Sequence, residues 1–210
     1  MPTAKILSQT FQVFVPEMPG HGASSRPKQA LTVLQQADVL MDWFTKHQLD
    51  NVFLFANSYG CQVAAQLTAK YPQLVNKLIL TGPTCDRSAS TTVEQAYRLW
   101  LDGFHEPKGA GNQLIADLTD MSVPIALQTA DQMVSDDIRP KLAQISHPTL
   151  VARGSFDTIC PQNWLEEVAG QLKNAQIETL ENAPHCVNYA AADKLTALIK
   201  SFVSQLPKSH

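Results

Sequence analysis

At 210 residues, 44% apolar and with a formal charge of −3, the chain has enough material for one sizeable core and reads as a single soluble globular domain. It carries no run or stripe of Lys and Arg, so phosphate-backbone binding lacks its main electrostatic term and no nucleic-acid partner is expected. No stretch approaches the roughly 20 apolar residues that span a bilayer, and Met1–Gln12 lacks the layout of a secretory signal, which places the chain in the cytoplasm with no membrane partner.

In chain order, the apolar run Phe11–Val15 predicts a short strand ending at a Pro and Gly cluster. Leu31–Gln48 follows as a helix, with apolar spacing through Leu34, Val39, Leu40 and Phe44. Val52–Ala56 is a second strand, Cys61–Tyr71 a helix, and Leu78–Leu80 a third, buried strand. After residue 140 the alternation resumes with a strand at Thr149–Arg153 and a helix opening at Pro161. A strand at Ile177–Leu180 and a helix from Tyr189 to Val203 complete it. Continuous apolar strands separated by helices predict an α/β fold, a mostly parallel sheet covered on both faces.

Residues 86–140 interrupt this pattern. Thr91 and Glu94 are spaced as a capping box ahead of Val93, Tyr97, Trp100, Leu101 and Phe104, which fall on one helical face. PKGAGN breaks the chain, and Leu114, Ile115 and Leu118 begin another amphipathic helix. An insertion of this length with its own helices predicts a helical cap over a core formed by residues 1–85 and 141–210. A pair of helices that simply covers a sheet edge is the plainer alternative.

Ser58 stands where an apolar strand turns into a helix, with Ala56 two residues before and Gly60 two after. Such a tight turn needs small neighbours because strand and helix backbones nearly touch there. Ser is also a common helix cap, so the position alone does not make a nucleophile. A serine hydroxyl needs a base, and the base an orienting acid. Asp157 follows the strand at Thr149–Arg153 and His185 follows the next one, so all three residues lie beyond carboxyl ends of parallel strands, where ligands bind. Asp157 could instead cap a helix, but Pro161 suits the first helical position and moves the cap toward Cys160. Among the other histidines, His47 ends a helix, His105 sits in the cap, His147 precedes a strand and His210 is terminal. His21 lies in a loop facing the crevice but precedes the serine. Asp86, after the strand ending in Leu80, is a rival acid. Cys61, Cys85, Cys160 and Cys186 lack CxxC spacing and read as buried thiols.

VPEMPGHGASS, ANSYG, LILTGPTCD, PTLVARGSFDTICP and APHCVNY, in this order, resemble the α/β-hydrolase superfamily over almost the whole chain. Two departures are Ala56 in place of the usual first Gly of GxSxG, and Glu17 in place of the usual Asp before PGHG. The resemblance implies Ser58 as nucleophile, His185 as base, Asp157 as acid and the Tyr59 backbone N–H as one oxyanion donor. It further implies a small-molecule substrate and no cofactor or metal. The expected activity is hydrolysis of small esters, thioesters, amides or related acyl compounds. Carbon–carbon bond hydrolysis, or a non-catalytic ligand-binding or inactive version of the fold, are the alternatives. Family members also carry upstream strands and an HG-containing loop that supplies a second oxyanion N–H, and this sequence has no such loop. The strand bearing it normally lies between those ending near Val15 and Ala56, so its loss leaves a gap of roughly 10 Å. The expectation is that Phe11–Val15 shifts to pair with Val52–Ala56, that a second chain covers the edge by self-association, or that the sequence is a truncated gene product.

Overall fold

The computed structural model describes residues 1–86, 91–107, 109 and 123–205. Its centre is a four-stranded, wholly parallel sheet in the order β1-β2-β3-β4, with β1 Val52–Asn57, β2 Val75–Thr81, β3 Thr149–Gly154 and β4 Ala175–Leu180. Because side chains alternate along a strand, the two faces of this sheet fill two separate cores. Leu78, Leu80 and Val151 pack on one side with α2 (Val33–Lys46), α3 (Gly60–Lys70) and α7 (Gln162–Gly170). Ile79, Leu150 and Ala152 pack on the other with α1 (Pro2–Leu7), α8 (Val187–Ala190) and α9 (Ala192–Ser204). This double covering is what the apolar runs of β2 and β3 require.

Several local expectations are corrected. Phe11–Val15 is not a strand, and it forms no ladder with β1, which stands at one edge of the sheet. The segment is held by side chains: Phe11 meets the Phe53 ring edge-on at 6.2 Å and Phe14 meets Trp43 at 5.8 Å. Without backbone pairing, an apolar run has no reason to become a strand. The first residues instead form α1, where Thr3 Oγ1 donates to the Asn188 carbonyl at 2.7 Å and Leu7 enters the second core. A helix of six residues is too short to show in apolar spacing.

In α2 the buried positions are Val33, Gln36, Ala37, Leu40 and Phe44, while Leu34 and Val39 face outward. The helix begins two residues later than predicted, at a capping box between Thr32 and Gln35. Pro161 is the N-cap of α7 rather than its first residue, and the predicted final helix is broken between α8 and α9.

Between β2 and β3 lie α4 (Thr92–Asp102), α5 (Val123–Ser135) and α6 (Arg139–Leu142). The capping box of Thr91 and Glu94 closes in both directions. The predicted apolar face of α4, however, points outward. Trp100 is 60% and Phe104 70% exposed, and along the surface Trp100 stacks on Tyr97 and meets the Phe104 ring edge-on. Polar contacts face inward instead: Arg98 Nη1 donates to Asp86 Oδ2 at 2.7 Å, and Thr158 Oγ1 donates to the Arg98 carbonyl at 2.9 Å. The helix predicted from Leu114, Ile115 and Leu118 lies outside the described residues. Among the described residues no helix is long and apolar enough to cross a membrane.

Candidate active site

Ser58 occupies the turn between β1 and α3 with a φ of 56°, a left-handed conformation that is costly for a residue with a side chain. The turn is pinned on both sides, with Ser58 N donating to the Thr81 carbonyl and Cys61 N donating to the Ser58 carbonyl, each at 2.9 Å. A Cβ built on Gly60 would sit 3.7 Å from the Ala56 methyl, so alanine fits at position 56 and a larger side chain would crowd the helix start. Cys61 is fully buried behind the turn, and burial pushes its thiol pKa well up, which suits an inert packing group.

His185 and Asp157 meet Ser58 from two other strand ends. His185 Nε2 lies 2.8 Å from Ser58 Oγ, and His185 Nδ1 lies 2.9 Å from Asp157 Oδ2. The other carboxylate oxygen, Asp157 Oδ1, accepts the Ile159 and Cys160 amides at 2.9 and 2.8 Å. Those bonds fix the acid in a loop rather than at a helix cap. Buried Arg153 braces the same loop, donating from Nε to the Cys160 carbonyl at 2.6 Å and from Nη2 to the Asp157 carbonyl at 2.7 Å. With the carboxylate on the Nδ1 side, the neutral ring keeps its proton there and offers Nε2 to the serine hydroxyl. Burial pulls the His185 pKa down, but the charge and hydrogen bond of Asp157 outweigh it and the net shift is upward.

The rival acid is otherwise engaged, since Asp86 is buried in an ion pair with Arg98. Tyr59 is the N-cap of α3, so its backbone N–H stands among the amides that open a helix, beside Ser58. Its hydroxyl accepts from Gln36 Nε2 at 2.9 Å, and burial pushes the phenol up to about 12. In the PGHG loop, Glu17 accepts the Ala23 amide at 2.8 Å, and its carboxyl fills the space that a Cβ on Gly22 would need. His47 packs on Trp43, His105 on Phe156, and His147 Nε2 meets the Pro72 carbonyl at 3.0 Å, so none of these three competes for Ser58. Among the described residues no group of three or more His, Cys, Asp or Glu side chains is placed to hold a metal ion.

Four site residues were beyond the sequence reading. Gly82, at φ +53°, follows β2 so closely beneath the histidine that a Cβ would fall 2.8 Å from His185 Nδ1 and 3.1 Å from Asp157 Oδ2. At Gly154 a Cβ would fall 2.1 Å from the Ala183 carbonyl oxygen, so only glycine lets the end of β3 touch the histidine loop. Asp102 and Glu106, at and just beyond the end of α4, accept the backbone amides of His185 and Cys186. The LILTG and ARG motifs carried the two glycines, whereas nothing in the spacing of Asp102 and Glu106 marked them.

Residues 3–109 match the family described as alpha/beta hydrolase fold. The chain is 24% identical over 221 residues to Protein ABHD8 of Mus musculus, covering 94% of this chain and 50% of that protein, so it spans half the length of this relative. Among solved structures, a bromoperoxidase from Bacillus anthracis superposes with a TM-score of 0.74 at 18% identity, over 90% of this chain and 80% of the other. The esterase EaEST from Exiguobacterium antarcticum gives a TM-score of 0.74 at 21% identity, over the same shares of the two chains. One fold thus carries proteins of different names, and substrate is decided by the site rather than by the fold. With more than half of its length matched and a parallel sheet covered on both faces, the chain belongs to the alpha/beta hydrolase fold family.

Proposed function

We propose that the chain is a serine hydrolase acting on small ester, thioester, amide or related acyl substrates through an acyl-enzyme. The observation that carries this reading is the unbroken line from Ser58 Oγ through His185 to Asp157, with bonds of 2.8 and 2.9 Å. Ser58 Oγ attacks the carbonyl carbon as its proton passes to His185 Nε2, and Asp157 stabilises the imidazolium that forms. The Tyr59 N–H, at the positive end of α3, faces the negative charge that develops on the carbonyl oxygen. His185 then returns the proton to the leaving group, and water activated by the same imidazole releases the acyl group from Ser58. The chemistry calls for no metal or organic cofactor. Residues 86–140 are proposed as the cap over this site, because α4 ends against the histidine loop.

The test is labelling by a serine-directed fluorophosphonate, with the adduct located by mass spectrometry and turnover followed on a p-nitrophenyl ester. Modification of Ser58, lost together with turnover in Ser58→Ala, is the expected result. An adduct on another residue, or ester turnover that survives Ser58→Ala, would overturn the proposal.

A further inference from the structure

We infer that Asp102 and Glu106 are positioning residues for His185: they grip the backbone of the histidine loop and so tie the placement of the imidazole to the segment between β2 and β3. The inference rests on the hydrolase reading for its kinetic consequence, but its spectroscopic test needs no turnover.

Asp102 is the last residue of α4 and only 1% exposed. Its Oδ1 accepts the His185 amide at 3.2 Å, and Glu106 Oε1 accepts the Cys186 amide at 2.5 Å. Two carboxyls, one at the end of α4 and one just beyond it, therefore hold two successive amides of the loop whose side chain meets Ser58. The second oxygens, Asp102 Oδ2 and Glu106 Oε2, are buried with no hydrogen-bond partner among the described residues. The placement runs against local helix preference, because an acid at the C-terminal end of a helix faces the negative end of its dipole. A residue that is locally unfavourable, buried, and bonded to a loop of the candidate active site has its reason in tertiary structure. The apolar face of α4 is turned to solvent, so these polar contacts are among those that seat the helix.

Burial first, and then the neighbouring Glu106 carboxyl, push the Asp102 carboxyl up to about 7 from an ordinary 3.8. A folded-state value above the unfolded one means that the contact contributes stability at low pH, and that this contribution is lost as pH rises through about 7. The titratable groups around His185 are Asp157 from the loop after β3, Asp102 and Glu106 from α4 and its following turn, and Cys186 beside it. Asp157, Asp102 and Glu106 all favour the imidazolium.

The experiment compares wild type with Asp102→Asn, Glu106→Gln and Asp102→Ala. His185 is titrated by NMR in histidine-labelled protein, its signal assigned by its loss in His185→Gln. Asp102→Asn keeps an oxygen for the His185 amide but removes a charge that favours the imidazolium, so the His185 midpoint should fall. In turnover, Asp102→Ala should lower kcat by about 10- to 100-fold with KM within about threefold, since a misplaced base costs rate rather than binding. Asp102→Asn should recover most of that loss. Superimposed His185 titrations in wild type, Asp102→Asn and Glu106→Gln would overturn the inference, as would a kcat unchanged in Asp102→Ala. A wild-type chain without turnover or Ser58 labelling would instead sink the hydrolase reading. The NMR comparison would then decide the positioning role, a lowered midpoint supporting it and superimposed curves refuting it.

Discussion

Gly82→Ala places a methyl group under the His185 ring. The ideal Cβ lies 2.8 Å from His185 Cε1 and Nδ1, while ordinary contact begins at 3.4 Å, so the ring must yield by 3.4 − 2.8 = 0.6 Å. Its two side-chain bonds start at 2.8 and 2.9 Å, and a ring displaced that far cannot hold both within the roughly 2.7–3.2 Å hydrogen-bond range. Misplacement on this scale should lower kcat by on the order of 10- to 100-fold. The backbone adds a second cost, since φ at this position is +53°, where alanine loses about 1–2 kcal/mol. Overpacking adds about 1–3 kcal/mol, for a total destabilisation of roughly 2–5 kcal/mol. Urea unfolding measures the stability term. Ester turnover, normalised to the fraction of Ser58 that reacts with a fluorophosphonate, measures the catalytic term in folded molecules alone. Wild-type kcat with a stability loss under about 1 kcal/mol would show that the ring accommodates the methyl and that Gly82 does not set the geometry of the site.

The choice of acid is testable in the same assay: Asp157→Asn should lower turnover by roughly 10⁴-fold by holding the wrong histidine tautomer. Asp86→Asn, which weakens the ion pair with Arg98, should lower turnover far less, and the reverse ranking would move the acid role to Asp86. Self-association through the edge of β1 is proposed as a pairing with a second copy, because β1 ends the strand order and carries the exposed Phe53. Sedimentation should show association that rises with concentration and is weakened by Phe53→Lys; a wild-type monomer at all concentrations would refute it.

The parts of this molecule legible in the sequence are those whose signal is local. β2 and β3 are buried on both faces, so the apolar stretches Leu78–Leu80 and Leu150–Ala152 at their centres read as strands without any knowledge of their neighbours. The strained turn at Ser58 announces itself through the small residues Ala56 and Gly60, and the order of Ser58, Asp157 and His185 follows from chain topology, because residues after parallel strands emerge at one end of the sheet. What the sequence left open depended on contacts between distant segments. Phe11–Val15 has strand composition, yet among the described residues no partner strand reaches it, and pairing rather than composition makes a strand. α4 has an amphipathic pattern that fits either orientation. It turned its aromatic face outward because Asp86, Thr158, His185 and Cys186 offer polar partners on the other side. The competition between Asp86 and Asp157 had the same character, since both carboxylates follow strands of one sheet. Only the three-dimensional path of Arg98 assigned one to an ion pair and left the other to His185. Periodicity and turn chemistry act over a few residues and can be read along the chain, whereas the partner of a buried charge is set by folding, which brings Asp102 within hydrogen-bond reach of a loop 83 residues away.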